Sequence, residues 1–153
     1  MECTINKLDG SIKNDVNSLI RYDYEGIIGV EAASSYWGLC TFSPEIPIFL
    51  VNDPHAEEQG LFVDSTLSML FVPNVNMNNL INLSEHLRIT DPEQTVCDMI
   101  RYGRHEFHLF ETLVSAYDGM VDIDRLNNLA EYYNITEDMQ RLYQEALEVD
   151  GEG

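Results

Sequence analysis

The chain has 153 residues, 44% of them hydrophobic, and a formal net charge of −19 that arises from 27 acidic residues against 8 basic ones. That length and hydrophobic share suit one globular domain with a real core, and they exclude a chain that is disordered throughout. The charge repels phosphate backbones and anionic membrane leaflets and attracts basic protein surfaces; keeping the protein soluble is the plainer use of the same charge.

The first ten residues, MECTINKLDG, lack a basic segment followed by an apolar run, so no signal peptide is expected. No apolar stretch approaches membrane-spanning length. Ser11 can cap a helix whose apolar positions Ile12, Val16, Leu19 and Ile20 fall on one face. A short second helix is predicted over Glu31–Trp37, ended by Gly38. β signals follow. Ile48–Val51 is an apolar run closed by Asn52-Asp53-Pro54, then come Leu61–Val63 and Met69–Val72, the last ended by Pro73. The asparagine-rich stretch Asn74–Asn79 reads as a loop, and Leu87–Ile89 as a last strand.

From Asp91 onward the pattern is helical. Asp91-Pro92-Glu93-Gln94 is a strong helix start: Asp accepts free backbone N–H groups, Pro fits the first position, and Gln94 can reach back to the cap. Gly103 can end that helix. The next places Phe110, Leu113, Val114 and Tyr117 on one stripe and stops at Gly119. Asp122 caps a third, with Leu126, Leu129, Ala130 and Tyr133 inward and Asn134 as terminator. Thr136 caps a fourth, with Met139, Leu142, Tyr143, Ala146 and Leu147 on its buried face. Short connections make these helices packing neighbours. The expectation is an α+β single domain over 1–153. A small mixed sheet with N-terminal helices (1–90) packs on a C-terminal bundle of about four helices (91–148), and 149–153 is a frayed acidic tail.

The three cysteines, Cys3, Cys40 and Cys97, stand at wide spacings with no C-x-x-C pair. Neither a disulfide framework nor a cysteine zinc site is expected, and reduced thiols in a cytoplasm fit best. Cys40 and Cys97 read as small core residues.

Two segments carry a family likeness. One is Gly29–Leu39, a small-residue helix ending in the Gly38-Leu39 pair before the strands. The other is Ile89–Ile100, a strand, then Asp91-Pro92-Glu93-Gln94-Thr95, then an apolar helix carrying Asp98. With Val121–Leu126 and Leu129-Ala130, these resemble the abortive-infection antitoxins of the AbiEi type, over roughly residues 14 to 147. The resemblance implies an antitoxin-like role against a nucleotidyltransferase-type toxin in a bacterial cell. It departs from the family in three ways. Only about ten residues precede the first expected helix, so no N-terminal DNA-binding winged helix is expected; Gln94 stands where the family has Arg, and the chain is acidic where DNA-binding antitoxins are basic. The resemblance therefore implies the fold and the antitoxin role, and not binding to promoter DNA.

Charge pattern adds a second clue. Between Arg21 and Arg88 there is no Lys or Arg, while Asp23, Glu25, Glu31, Glu45, Asp53, Glu57, Glu58, Asp64 and Glu85 all lie there. These residues are the expected partner-binding acidic face, since like charges of that density weaken a fold unless a basic partner relieves them. The clusters at Asp118–Asp124 and Glu137-Asp138 have a cheaper explanation, because carboxylates at helix starts complement the dipole. A further acidic cluster, Glu145, Glu148, Asp150 and Glu152, lies at the C-terminus.

No G-x-S-x-G, P-loop or G-x-G-x-x-G occurs. His105, His108 and Glu111 form the best metal-like constellation, yet an i, i+3 histidine pair is not the helical zinc spacing, and no metal or other cofactor is expected. His55 and His86 read as surface residues. Chance acidic pairs such as Glu57-Glu58 or Asp122 with Asp124 are expected in so acidic a chain. Tyr22, Tyr24, Tyr36, Trp37, Tyr102, Tyr132 and Tyr133 lack the interleaved Lys and Arg of a base-stacking surface.

The function expected is thus a non-enzymatic, cytoplasmic antitoxin-like domain that binds a basic protein and neither nucleic acid nor membrane. The competing expectation is a phage-encoded, anti-CRISPR-like inhibitor that mimics nucleic acid and blocks a nucleic-acid-binding defence enzyme of the host. A metal-dependent enzyme using His105 and His108 is the third.

Overall fold

The computed structural model describes residues 26–42, 48–53 and 68–152, with the backbone alone at 60–63 and 150–152. The proposed Ser11 helix with Ile12, Val16, Leu19 and Ile20 lies outside the described residues. The elements run β1 (Gly26–Ile28), α1 (Val30–Tyr36), β2 (Ile48–Asn52), β3 (Gly60–Val63), β4 (Ser68–Val72), a 3₁₀ turn (Met77–Asn79), β5 (Leu80–Ser84), β6 (Leu87–Thr90), α2 (Pro92–Arg101), α3 (Glu106–Ser115), a π-type turn (Ala116–Met120), α4 (Ile123–Tyr132) and α5 (Thr136–Glu152). The fold is α+β, with a mixed sheet and the helices gathered at the C-terminal end.

The six strands are ordered β3-β4-β2-β1-β6-β5. β1 pairs parallel to β6 and antiparallel to β2, and β2 pairs parallel to β4. The outer pairs, β3 with β4 and β5 with β6, are antiparallel. Burial follows that order. Ile48–Val51 of the inner strand β2 is buried throughout, as a continuous apolar run requires. In the outer strand β5, every residue is exposed or half-buried. β1 and β5 escape the sequence reading. The first has only three residues and begins on Gly26; the second, Leu-Ile-Asn-Leu-Ser, is short and broken by Asn82, and it follows directly on the asparagine-rich loop.

One core joins both halves, with Phe49, Leu50 and Leu70 of the sheet and Val96, Met99, Leu113, Leu126 and Met139 of the helices. Full burial of each such side chain contributes about 1.5–3 kcal/mol. Cys97 is buried within it and Cys40 is buried outside it, and burial pushes both thiols up, Cys97 to about 12. Gly29 is required where β1 turns into α1, because a Cβ there would lie 2.5 Å from Leu50 Cδ1.

Three helices end alike. Gly38, Gly103 and Asn134 take positive φ, and each is followed by a backbone bond that closes the last turn: Leu39 to Ser34, Arg104 to Met99, Ile135 to Ala130. Asp91 Oδ1 accepts from the Gln94 N–H at 2.8 Å and Asp122 Oδ1 from the Arg125 N–H at 3.2 Å, so both expected caps form. The fourth cap differs. Thr136 is already the first residue of α5, and the Ile135 carbonyl accepts from Met139 N. Leu147 is 39% exposed, outside the buried face, and α5 continues to Glu152 where a frayed tail was expected. Trp37 joins two ends within the strand-rich half: its Nε1 donates to the Thr90 carbonyl at 2.8 Å, linking the end of α1 to the end of β6.

Candidate protein-binding surface

α2 opens the helical half with a dense acidic start, and the chain answers it from within. Arg125, in the first turn of α4, reaches back to α2: Nη2 donates to Asp91 Oδ2 at 2.6 Å and Nη1 to Glu93 Oε1. The same Nη2 donates to Asn79 Oδ1 at 3.0 Å. Charge-assisted bonds of this kind raise the guanidinium's affinity for its proton, first through Asp91. Arg104, between α2 and α3, grips Glu31 with both arms, at 2.6 and 2.7 Å. Glu31 is 4% exposed, so this is a buried bidentate pair.

Asp98 is the third such carboxylate and is 1% exposed. Its Oδ1 accepts from Gln94 Nε2 and from Arg101 Nη1, both at 2.8 Å. Burial pushes its carboxyl up to about 6 against the pull of Arg101. Gln94 does not reach back to the cap of α2. Its Oε1 instead accepts from Asn79 Nδ2 at 2.9 Å and from the Tyr133 hydroxyl at 3.0 Å. Arg101 lies over the Tyr133 ring, 3.9 Å from its centre, and bonds to the Asn74 carbonyl at 3.4 Å. The loop 74–79, expected only as a loop, is thereby fastened to α2 and α4. A polar cleft of about 490 Å³ opens beside it, lined by Asn76, Met77, Asn78, Arg101, Tyr132 and Tyr133 among others.

The expected acidic face divides sharply. Asp23, Glu25, Glu45, Glu57, Glu58 and Asp64 lie outside the described residues. Glu31 does not belong to the face: it is buried and neutralised by Arg104, seventy-three positions away in the chain. The stretch from Arg21 to Arg88 lacks local cations, but a distant one folds onto it. Asp53 is half-buried. Glu85 is exposed at the β5–β6 turn beside His86, which is exposed too.

Exposed carboxylates stand instead on the helical half, at Asp118, Asp122, Asp124, Glu131, Glu137, Asp138 and Glu148. Helix dipoles account for Asp122, Asp124, Glu137 and Asp138, which sit at helix starts. They do not account for Glu131. It lies in the last turn of α4, where the dipole favours a cation and no basic residue is found. Glu148 is likewise in the C-terminal part of α5, which has no basic residue in its last turn. Arg141 is exposed and meets Asp138 at 3.1 Å and Glu145 at 3.8 Å.

The histidine constellation has structural duties. His105 caps α3, its Nδ1 accepting from Phe107 N at 3.2 Å, and His108 stacks on Phe42 with ring centres 4.0 Å apart. Glu111 is held by the Thr41 N–H and hydroxyl. Among the described residues no group of three or more His, Cys, Asp or Glu is placed to hold a metal ion. A groove of about 210 Å³ between α3 and α5, lined by Phe107, Phe110, Val114 and Val149, is apolar and holds one acid, Glu111.

No helix among the described residues is long and apolar enough to cross a membrane. No protein-family model matches the chain, and no curated protein does.

Proposed function

We propose that the chain is a non-enzymatic, antitoxin-like binding domain whose acidic exterior occupies a basic surface on a protein partner. One observation carries this reading: three arginines turn inward onto buried carboxylates, while further carboxylates stand exposed where no helix start accounts for them. Arg101, Arg104 and Arg125 are engaged by Asp98, Glu31, Asp91 and Glu93, whereas Glu131 and Glu148 are exposed where helix physics disfavours them. An unhelpful local charge that is nevertheless present points to a use outside the fold. The resemblance of Gly29–Leu39 and Ile89–Ile100 to abortive-infection antitoxins agrees with it and suggests a nucleotidyltransferase-type toxin as the partner.

The test is capture of the partner by the purified chain at low and high salt, with wild type beside a Glu131→Lys, Glu137→Lys, Glu148→Lys variant. Salt weakens binding to a basic partner. The triple variant loses roughly tenfold or more in affinity, while its thermal midpoint stays within a few degrees. Competition by duplex DNA for the captured partner moves the reading toward a nucleic-acid mimic that blocks a defence nuclease. Tight binding of nucleic acid by the chain itself, or turnover of a small substrate, overturns it.

A further inference from the structure

From Ser65 to Ser84 the chain carries no Asp, Glu, Lys, Arg or His, although charged residues make up 23% of the whole. Part of this run is β4, whose buried side chains account for its neutrality. Of the other described residues in the run only Val75 is buried. They form the loop 74–79 and β5, an outer strand that among the described residues pairs with β6 alone. Met77 is 43% and Ile81 39% exposed, and Asn78 and Asn82 are exposed as well. Tyr132, 76% exposed, lines the same cleft as Met77 and Asn78.

An outer strand offers unpaired backbone N–H and C=O groups, and proteins commonly blunt such edges with charge, Pro or a bulge. Leu80–Ser84 has no charge and no Pro. Its one irregularity falls between Asn82 and Ser84, so Leu80, Ile81 and Asn82 keep regular register with Thr90, Ile89 and Arg88. Among the described residues the edge is unpaired, neutral and partly apolar, and Met and Tyr beside it are residue types enriched at interfaces.

Charge decides the occupant. A basic partner finds no carboxylate on this strip to attract it. A second copy of the same chain, also at −19, is repelled wherever carboxylates meet, and the neutral edge is where two copies can approach without that cost. A two-fold contact suits it, since the same strip then meets itself in antiparallel pairing. We propose that β5 pairs with β5 of a second copy about a two-fold axis, joining the two sheets across Leu80–Asn82. This goes beyond the proposed function and does not rest on it.

The two associations answer salt with opposite signs. Screening relieves repulsion between like copies, so self-association tightens as salt rises, whereas binding to a basic partner weakens. Sedimentation velocity of the purified chain at low and high salt reads the first directly. A dimer that grows with salt is expected. Ile81→Glu brings two carboxylates together near the axis and weakens the dimer roughly a hundredfold, with the far-ultraviolet circular dichroism unchanged. Gln140→Glu, the same charge change on the exposed side of α5, leaves it within about twofold. Amide exchange at Leu80–Asn82 slows as protein concentration rises. A monomer at both salts, an Ile81→Glu dimer as tight as wild type, or a dimer that leaves those amides unprotected overturns the proposal. So does protection of the strip by a different protein in place of a second copy.

Discussion

Two sets of carboxylates in this chain obey opposite rules. Glu31, Asp91, Glu93 and Asp98 are nearly out of water, and each is met by a guanidinium drawn from another part of the chain or from the next helical turn. Asp118, Asp124, Glu131 and Glu148 face solvent. The first set holds elements together: α1 to the α2–α3 connection, α2 to α4, and the loop 74–79 to both. The second set does no comparable work within the fold. A charge count over the sequence merges the two sets, yet only the second is available to a partner. The inward pairing takes three cations and four carboxylates from the surface together, so the exterior keeps the acidic excess that the composition sets.

The contrast can be broken most forcefully at Glu31. Arg104→Ala strands a buried carboxylate and lowers unfolding stability in denaturant titrations by about 3–5 kcal/mol; a loss below about 1 kcal/mol means that Glu31 reaches water and belongs to the outer set. Asp98 gives the next effect. Its folded value of about 6 lies above the ordinary 3.8, so the folded chain holds that proton more tightly than the unfolded chain. Its stabilising contribution is fully present below about pH 4 and is lost as pH rises through about 6. The loss amounts to roughly 2–3 kcal/mol, and Asp98→Asn flattens that part of the stability profile. An unchanged slope in the variant assigns the titration to other groups. Arg125→Ala follows at about 1–2 kcal/mol, reduced because the arginine side chain is 37% exposed and solvent screens its pairs. Smallest is Glu131→Gln in the outer set, expected to stabilise by about 0.3–1 kcal/mol because it relieves the C-terminal end of α4. A destabilisation there shows that Glu131 has a hidden structural role.

Much of the fold was legible because its signals are local. Asp91 and Asp122 cap, Gly38, Gly103 and Asn134 terminate, and Ile48–Val51 reads as a strand, all from residues a few positions apart. What escaped depends on distance. Nothing in the spacing of Glu31 announces Arg104, so a carboxylate in a cation-free stretch was read as surface. Gln94 looked like the return arm of a capping box, but a buried Asp98 one turn on and Tyr133 from α4 are better partners for its amide. β5 escapes because an edge strand needs only half-burial, so Leu80, Ile81 and Leu83 beside Asn82 and Ser84 give no clean alternation. The acidic clusters on the helices were set aside as dipole partners. That holds at the starts of α4 and α5; Glu131 stands outside those clusters, and its place at the far end of α4 shows only once the helix has two ends.

The indole bond between Trp37 and the Thr90 carbonyl has a practical consequence, because the chain has a single tryptophan. Its fluorescence comes from one place, the contact between the end of α1 and the end of β6. Parting of that contact exposes the ring to water and shifts its emission to longer wavelength, even while the helices after Thr90 keep their secondary structure. The protein thus carries an intrinsic optical gauge of its own cohesion.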